Sequence, residues 1–157
     1  MIKIRKAEPA DLQAVRELNL KLFKKEFSEF DSTMNCDWTM SKEGEEYFTD
    51  KINSAGSCAF VAADDGKVVG YLAGGLSGNE SFRLDSGQHA ELENMFIEQS
   101  YRSQKIGTGL MNAFIDWCKE KNVRRVRVVA SPGNVGSIRF YERHGFVPLD
   151  LTLEKTL

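Results

Sequence analysis

The stretch Ile97-Glu98-Gln99-Ser100-Tyr101-Arg102-Ser103-Gln104-Lys105-Ile106-Gly107-Thr108-Gly109-Leu110-Met111 carries the most chemical information in the chain. An apolar run gives way to a short basic loop with glycines, and an amphipathic pattern follows. A strand that ends in such a loop and restarts as a helix can aim consecutive backbone N–H groups at one anion. The helix N-terminus adds about half a positive charge. The ligand class implied is a phosphate or pyrophosphate. No GxxxxGK[ST] and no GxGxxG occur, so a nucleotide P-loop and a dinucleotide fingerprint are excluded. A tight strand-to-helix turn with incidental glycines stays open as the alternative.

A second set lies further on, in Asn134-Val135-Gly136-Ser137-Ile138-Arg139-Phe140-Tyr141-Glu142-Arg143-His144-Gly145-Phe146. Asn134 and Tyr141 are nearly two helical turns apart and share a face. A tyrosine phenol, with a reference pKa of about 10, can donate a proton to a thiolate leaving group near about 8.5. Glu91 and Glu93 stand two apart on a strand pattern, so both face one side unless a bulge intervenes. A carboxylate there, directly or through water, can take a proton from an ammonium. Phe30, Asp31 and Trp38 sit in an acidic stretch and are candidates for lining an acceptor pocket. His144 suits a helix C-terminus, His89 opens a strand, and Trp117 reads as packing. Cys36, Cys58 and Cys118 have no metal spacing and no CxxC, which points to reduced, mostly buried thiols and to no metal site.

The elements that must position these groups follow from periodicity. Ile2 to Ala7 reads as a strand. Pro9 fits a first helical turn, and Leu12, Val15, Leu18 and Leu22 recur at helical spacing to about Lys25. Glu26 to Cys36 reads as irregular or a short helix. A second helix runs from Ser41 to Asn53. Cys58–Ala63 and Val68–Leu76 are strands joined by Asp64-Asp65-Gly66-Lys67, a hairpin signal. Gly74, Gly75, Gly78 and Gly87 mark a polar connection to a strand over His89–Ile97. A helix over Gly107–Lys121, a strand over Val123–Ala130, a helix from Asn134 to His144 and one or two closing strands within Phe146–Leu153 complete the order. This is an α/β (α+β) arrangement: a mostly antiparallel sheet with one right-handed parallel crossover, flanked by about four helices.

Length and charge agree. The chain has 157 residues, the size of one domain, and a net charge of −2, which gives no global basic field for nucleic acid. No apolar run approaches the about 18 residues of a membrane span, and the N-terminal residues lack a signal-peptide core. A cytoplasmic protein that engages neither nucleic acid nor membrane, as monomer or homodimer, is the expectation. Acidic residues outnumber basic ones between Lys24 and Asp50, whereas Arg102, Lys105, Lys119, Lys121, Arg124, Arg125 and Arg127 gather late. That asymmetry suits a cationic substrate and an anionic cofactor, though solvated faces produce it equally.

Taken together, the two motif segments resemble the coenzyme A-binding motifs of the GCN5-related N-acetyltransferase (GNAT) family. The loop pattern [RQ]-x-x-G-x-[GA] aligns as Arg102-Ser103-Gln104-Lys105-Ile106-Gly107, behind a Tyr-Arg pair. The pattern N-x-x-[AS]-x-x-[FL]-Y-x-x-x-G-F is met by Asn134, Ser137, Phe140, Tyr141, Gly145 and Phe146. Ile4-Arg5-Lys6-Ala7 with Asp11 is similar too, so the likeness spans residues 1–157 as a single domain, least specifically from Lys24 to Gly56. One departure stands out: Lys105 occupies the first glycine position. The resemblance implies a GNAT-like acyl-CoA N-acyltransferase fold and acetyl-CoA as cofactor. It implies that the backbone of Met95, Phe96 and Ile97 pairs with the pantetheine arm. The amides of Arg102, Ser103, Gln104, Lys105, Ile106, Gly107, Thr108, Gly109 and Leu110 would hold the pyrophosphate, Asn134 would touch pantetheine, and Tyr141 would act as acid. An N–H near Phe96 or Ile97 would face the acyl oxyanion. Glu91 matches the base of the histone-type branch, and Glu93 looks like the glutamate of the diamine branch. The function implied is direct acetyl transfer to a small cationic amine such as a polyamine, diamine or aminoglycoside. A peptide or protein amine, or a non-catalytic acyl-CoA sensor, is the alternative.

Overall fold

The structure is a computed structural model that describes residues 1–78 and 87–157. Five strands form one sheet in sequence order: β1 (Ile2–Lys6), β2 (Ser57–Asp64), β3 (Lys67–Ser77), β4 (Gln88–Ile97) and β5 (Val123–Val128). The first three pairings are antiparallel, and β4 to β5 is parallel. Four α-helices flank it: α1 (Leu12–Glu29), α2 (Lys42–Asn53), α3 (Ile106–Glu120) and α4 (Val135–Arg143). The mixed sheet with its single crossover is the architecture the sequence pattern predicts. The connection over 79–86, between the expected glycines, lies outside the described residues.

Alternation along the strands sorts the core into two layers. Cys58, Ala62, Leu72, Ala90 and Leu92 pack under Leu110, Met111, Phe114 and Trp117 of α3. Ala59, Val61, Tyr71, Ala73 and Phe96 face Val15 and Leu18 of α1 and Phe48 and Ile52 of α2. Trp117 stacks on Phe114, a packing role as expected. Polar residues interrupt the α1 stripe, among them Asn19. It is fully buried but satisfied, donating to the Tyr71 hydroxyl at 2.8 Å and accepting from Thr39 at 2.6 Å. Arg5 grips Asp11 through two bonds of 2.6 and 2.9 Å, and the Glu8 N–H donates to the same carboxylate. This ties β1 to the start of α1 and holds the Asp11 carboxyl below its usual pKa.

Two expectations fail. First, α1 runs on to Glu29 rather than ending near Lys25. Leu22 and Glu26 keep the inward spacing of the stripe, and α2 packs beside it, so tertiary burial extends a helix whose local pattern fades. Second, no strand forms within Phe146–Leu153. Val147, Leu149, Leu151 and Leu153 alternate as a strand should, yet a strand needs a backbone partner, and none pairs with them among the described residues.

Candidate active site

The site begins with a fault in β4. Ala73 of β3 lies opposite Asn94 and Gly74 lies opposite Leu92, which leaves Glu93 without a counterpart. This one-residue bulge turns Asn94 to the same face as Glu91 and Glu93, toward α2. There Asn94 donates to the Tyr47 hydroxyl at 2.9 Å, and the Glu93 carboxylate forms an ion pair with Lys51. Lys51 is nine-tenths buried and lies 5.0 Å above the Tyr47 ring. Burial, and then the charge of Glu93, pushes the Tyr47 phenol well above its ordinary range. Sequence reasoning missed Lys51, Tyr47 and Asn94. Their signal lay in the spacing Tyr47 to Lys51, one turn apart on α2, but only the fold brings that turn beneath the bulge.

The bulge also marks where the sheet opens. β5 pairs with β4 only from Gln88 to Leu92 and ends at Val128. The edge of Glu93–Ile97 that faces away from β3 therefore has no strand beside it among the described residues. Met95 and Ile97 look into the α3 layer with Phe140 and Tyr141 of α4, and Phe96 looks into the α1 layer. The gap is a slot for an extended molecule that can hydrogen-bond to main chain.

At the far end of the slot lies the loop into α3. Arg102 N–H donates to Gln99, and the first bond into the helix runs from Gly109 N–H to Lys105 at 3.0 Å. Between them, the N–H groups of 103–108 have no hydrogen-bond acceptor within the protein among the described residues. Ser103 and Lys105 adopt left-handed backbone conformations, with φ of 64° and 62°. Left-handed residues of this kind occur in anion-binding loops built from successive main-chain N–H groups. The glycines also meet a packing demand that their spacing does not show. A Cβ on Gly109 would sit 3.0 Å from Ile4, and one on Gly107 would sit 3.1 Å from Phe140. They let α3 press on β1 and α4, with Ile106 and Leu110 buried in the core. Arg102 bends back, its Nε on the Ile97 carbonyl at 3.1 Å and its guanidinium over Phe96. It borders a cavity of about 460 Å³ that reaches Lys21 and Lys25 on α1.

Asn134 caps α4, accepting from Ser137 N–H at 3.2 Å, so only its amide N–H groups remain for another partner. Tyr141 packs against Phe140 and Phe146. Burial, and then the charge of Glu26, pushes its phenol up to about 12. Glu26 itself is half-buried, its carboxyl raised chiefly by burial, which the charge of Lys25 partly offsets, and among the described residues it forms no ion pair and no side-chain hydrogen bond. Sequence reasoning left it out, although a carboxylate four residues after Leu22 on an apolar stripe was a readable signal.

The remaining candidates disperse. Phe30 and Asp31 end α1, with Asp31 bonded to Thr33 and Phe30 lying under Lys25 and beside Gly133. Trp38 stacks on Phe23 and meets Tyr47 edge-on, inside an aromatic cluster. His144 holds the Phe140 carbonyl at 2.8 Å, and His89 is buried at the start of β4. Burial pushes the thiols of Cys58 and Cys118 up to about 12 and 11, so neither is a nucleophile. No cluster that could hold a metal occurs among the described residues, and none of their helices is long and apolar enough to cross a membrane.

Comparison with known proteins gives consistent neighbours. Residues 12–146 match the acetyltransferase (GNAT) family description. An uncharacterized N-acetyltransferase of Methanocaldococcus jannaschii is 29% identical over 109 residues, which are 69% of this chain and 42% of that protein. Streptothricin acetyltransferase A of Bacillus subtilis is 25% identical over 114 residues, 70% of this chain and 65% of that one. The chain thus spans less than two thirds of the length of either. The solved aminoglycoside N-acetyltransferase AAC(6')-Iy in complex with CoA superposes with a TM-score of 0.79 at 19% identity, over 100% of this chain and 95% of that one.

Proposed function

We propose that this chain, which belongs to the acetyltransferase (GNAT) family, moves the acetyl group of acetyl-CoA to the amine of a small cationic acceptor. The observation that carries the reading is a β4 edge over Glu93–Ile97 with no strand beside it among the described residues, followed along the chain by six amides over 103–108 with no acceptor among them. An extended amide-bearing arm suits the first, and a diphosphate suits the second. That pairing of demands is what coenzyme A presents.

Acetyl-CoA supplies an activated carbonyl and a sulfur leaving group. The residues do the rest. The β4 amides by Phe96 or Ile97 are donors for the developing oxyanion. Tyr141, neutral across the physiological range, is a proton donor for the departing sulfur. Glu91 and Glu93 make the acceptor side of the slot acidic, and Glu93 is the nearer candidate to draw the ammonium proton, through water. Lys51 holds that carboxylate in place through their ion pair, which favours a role in steering the ammonium. The acidic wall supports a cationic acceptor, as do the names of the streptothricin and aminoglycoside enzymes above.

A second reading concerns the base alone. Glu26 forms no ion pair among the described residues, is half-buried with its pKa raised chiefly by burial, and its charge acts on Tyr141, the direction a general base needs. Release of free thiol from acetyl-CoA over a panel of amines, peptides and antibiotics tests the function. Turnover with small polycationic amines is the expected result, and no release above background with any amine overturns it. In the same assay Glu93→Gln and Glu26→Gln separate the two bases, because the true base loses the acidic limb of its pH profile.

A further inference from the structure

One buried acceptor beside Glu93 has no donor. The Asn94 Oδ1 is closed off from solvent and makes no hydrogen bond among the described residues. The Nδ2 of the same amide is engaged, because it donates to the Tyr47 hydroxyl at 2.9 Å. Native proteins satisfy nearly all their buried carbonyls, and an orphan of this kind is costly to keep. Packing alone gives no reason to retain it, since an apolar side chain of the same size would fill the space without that cost.

The charge of Glu93 fixes which way the amide points. Burial, and then that charge, keeps the Tyr47 phenol protonated, and a hydrogen bond between the two side chains adds to this. A carboxylate only accepts, so the phenol O–H donates to Glu93 and the phenol oxygen is left to accept from Asn94. A flipped amide would set Oδ1 against the lone pairs of a hydroxyl whose proton is already given away. Lys51 is engaged by the same carboxylate and lies over the Tyr47 ring. The β4 bulge brings Asn94 onto the face of Glu93, directly before Met95–Ile97. A charged and a neutral oxygen acceptor are thus neighbours on the acceptor side of the slot. Asn94 as a whole is half-buried, so its orphaned oxygen lies at the rim of the core rather than in its depth.

On the acetyl-transfer reading above, we propose that Asn94 is a substrate-binding residue whose Oδ1 accepts an N–H of the acceptor ammonium beside Glu93. The two oxygens divide the work. Glu93 attracts any cation, whatever surrounds its charge. Asn94 responds only to a cation that carries N–H groups, and a hydrogen bond from a charged donor is stronger than one from a neutral donor. Asn94 therefore selects for an ammonium with protons to donate and against an alkylated cation of the same charge. A site built around a buried hydrogen-bonding group rejects a ligand that leaves the group unpaired.

Calorimetric binding in the presence of coenzyme A, where no acetyl group can move, tests this with two probes. One is butane-1,4-diamine. The other is its hexamethylated derivative, which keeps both charges and has no N–H. The unaltered protein should bind the first at least about tenfold more tightly than the second. Asn94→Leu keeps the volume and removes the oxygen. It should weaken binding of the diamine about tenfold, leave the methylated probe within about threefold, and bring the two together without lowering the melting temperature. A preference that survives the change, or a loss shared equally by both probes, overturns the inference and leaves the acetyl-transfer reading standing. Equal affinity for the two probes in the unaltered protein overturns it as well, whether or not the variant folds. No binding of either probe overturns the inference together with the cationic acceptor.

Discussion

The Lys51 ammonium on α2 is ion-paired with the Glu93 carboxylate that the β4 bulge pushes out of register. Lys51 is nine-tenths buried, and that carboxylate is its ion-pair partner. Lys51→Met keeps the volume and removes the cation. It leaves Glu93, about a quarter exposed, facing an apolar side chain, at an expected cost of about 1–2 kcal/mol given the partial access of water. The acceptor KM should rise with kcat changed less, because the carboxylate loses its position. Denaturant unfolding and amine saturation curves check the two parts, and an unchanged KM would remove the positioning role.

Glu26 predicts a stability effect with a definite sign. Its folded-state pKa lies above the ordinary 4.5. The unfolded chain therefore gives up this proton first, and stability is lost as pH rises from that ordinary value through the raised one. Glu26→Gln removes the loss. Its melting temperature should exceed that of the unaltered chain by a few degrees at pH 7, on the order of 2 °C, and the gain should vanish near pH 4. Calorimetry at the two pH values measures it.

Lys105 stands where the family loop pattern has glycine, and its φ of 62° is a left-handed conformation that side chains resist. Lys105→Gly relieves the strain. After the extra entropy of an unfolded glycine is subtracted, the gain should be about 0.5–1 kcal/mol by denaturant unfolding, with the loop amides undisturbed.

Tyr141→Phe should lower kcat about 10²-fold or more while the affinity for coenzyme A changes little. Because the phenol titrates only at about 12, both proteins should share one alkaline limb below pH 10. A fall in affinity equal to the fall in kcat would make Tyr141 a binding residue only.

Local pattern carried most of the scaffold. The Asp64-Asp65-Gly66-Lys67 turn, with Asp65 and Gly66 at φ of 45° and 88°, makes the β2–β3 hairpin readable, and the apolar face of α3 places it over the sheet. The turn into α3 was legible too, but a second demand on its glycines was not: Gly107 and Gly109 lie against Phe140 and Ile4, residues far away in sequence. Lys51 and Glu26 went unread because each gains its meaning from a distant partner. The bulge at Glu93 arises from pairing with β3, which no window along β4 contains. The tail misled for the opposite reason, since its alternation is that of a strand and the rest of the sheet provides no neighbour for it.

The central claim is that the amides of 103–108 hold a diphosphate whose extended arm runs along Glu93–Ile97. Backbone amide NMR during titration with coenzyme A tests it most directly. The account predicts that the largest shifts fall on 103–108 and 93–97, and that adenosine 5'-diphosphate, which keeps a diphosphate and lacks the arm, moves the first group and spares the second. Shifts concentrated elsewhere on the molecule, with both segments unmoved at saturation, would contradict it.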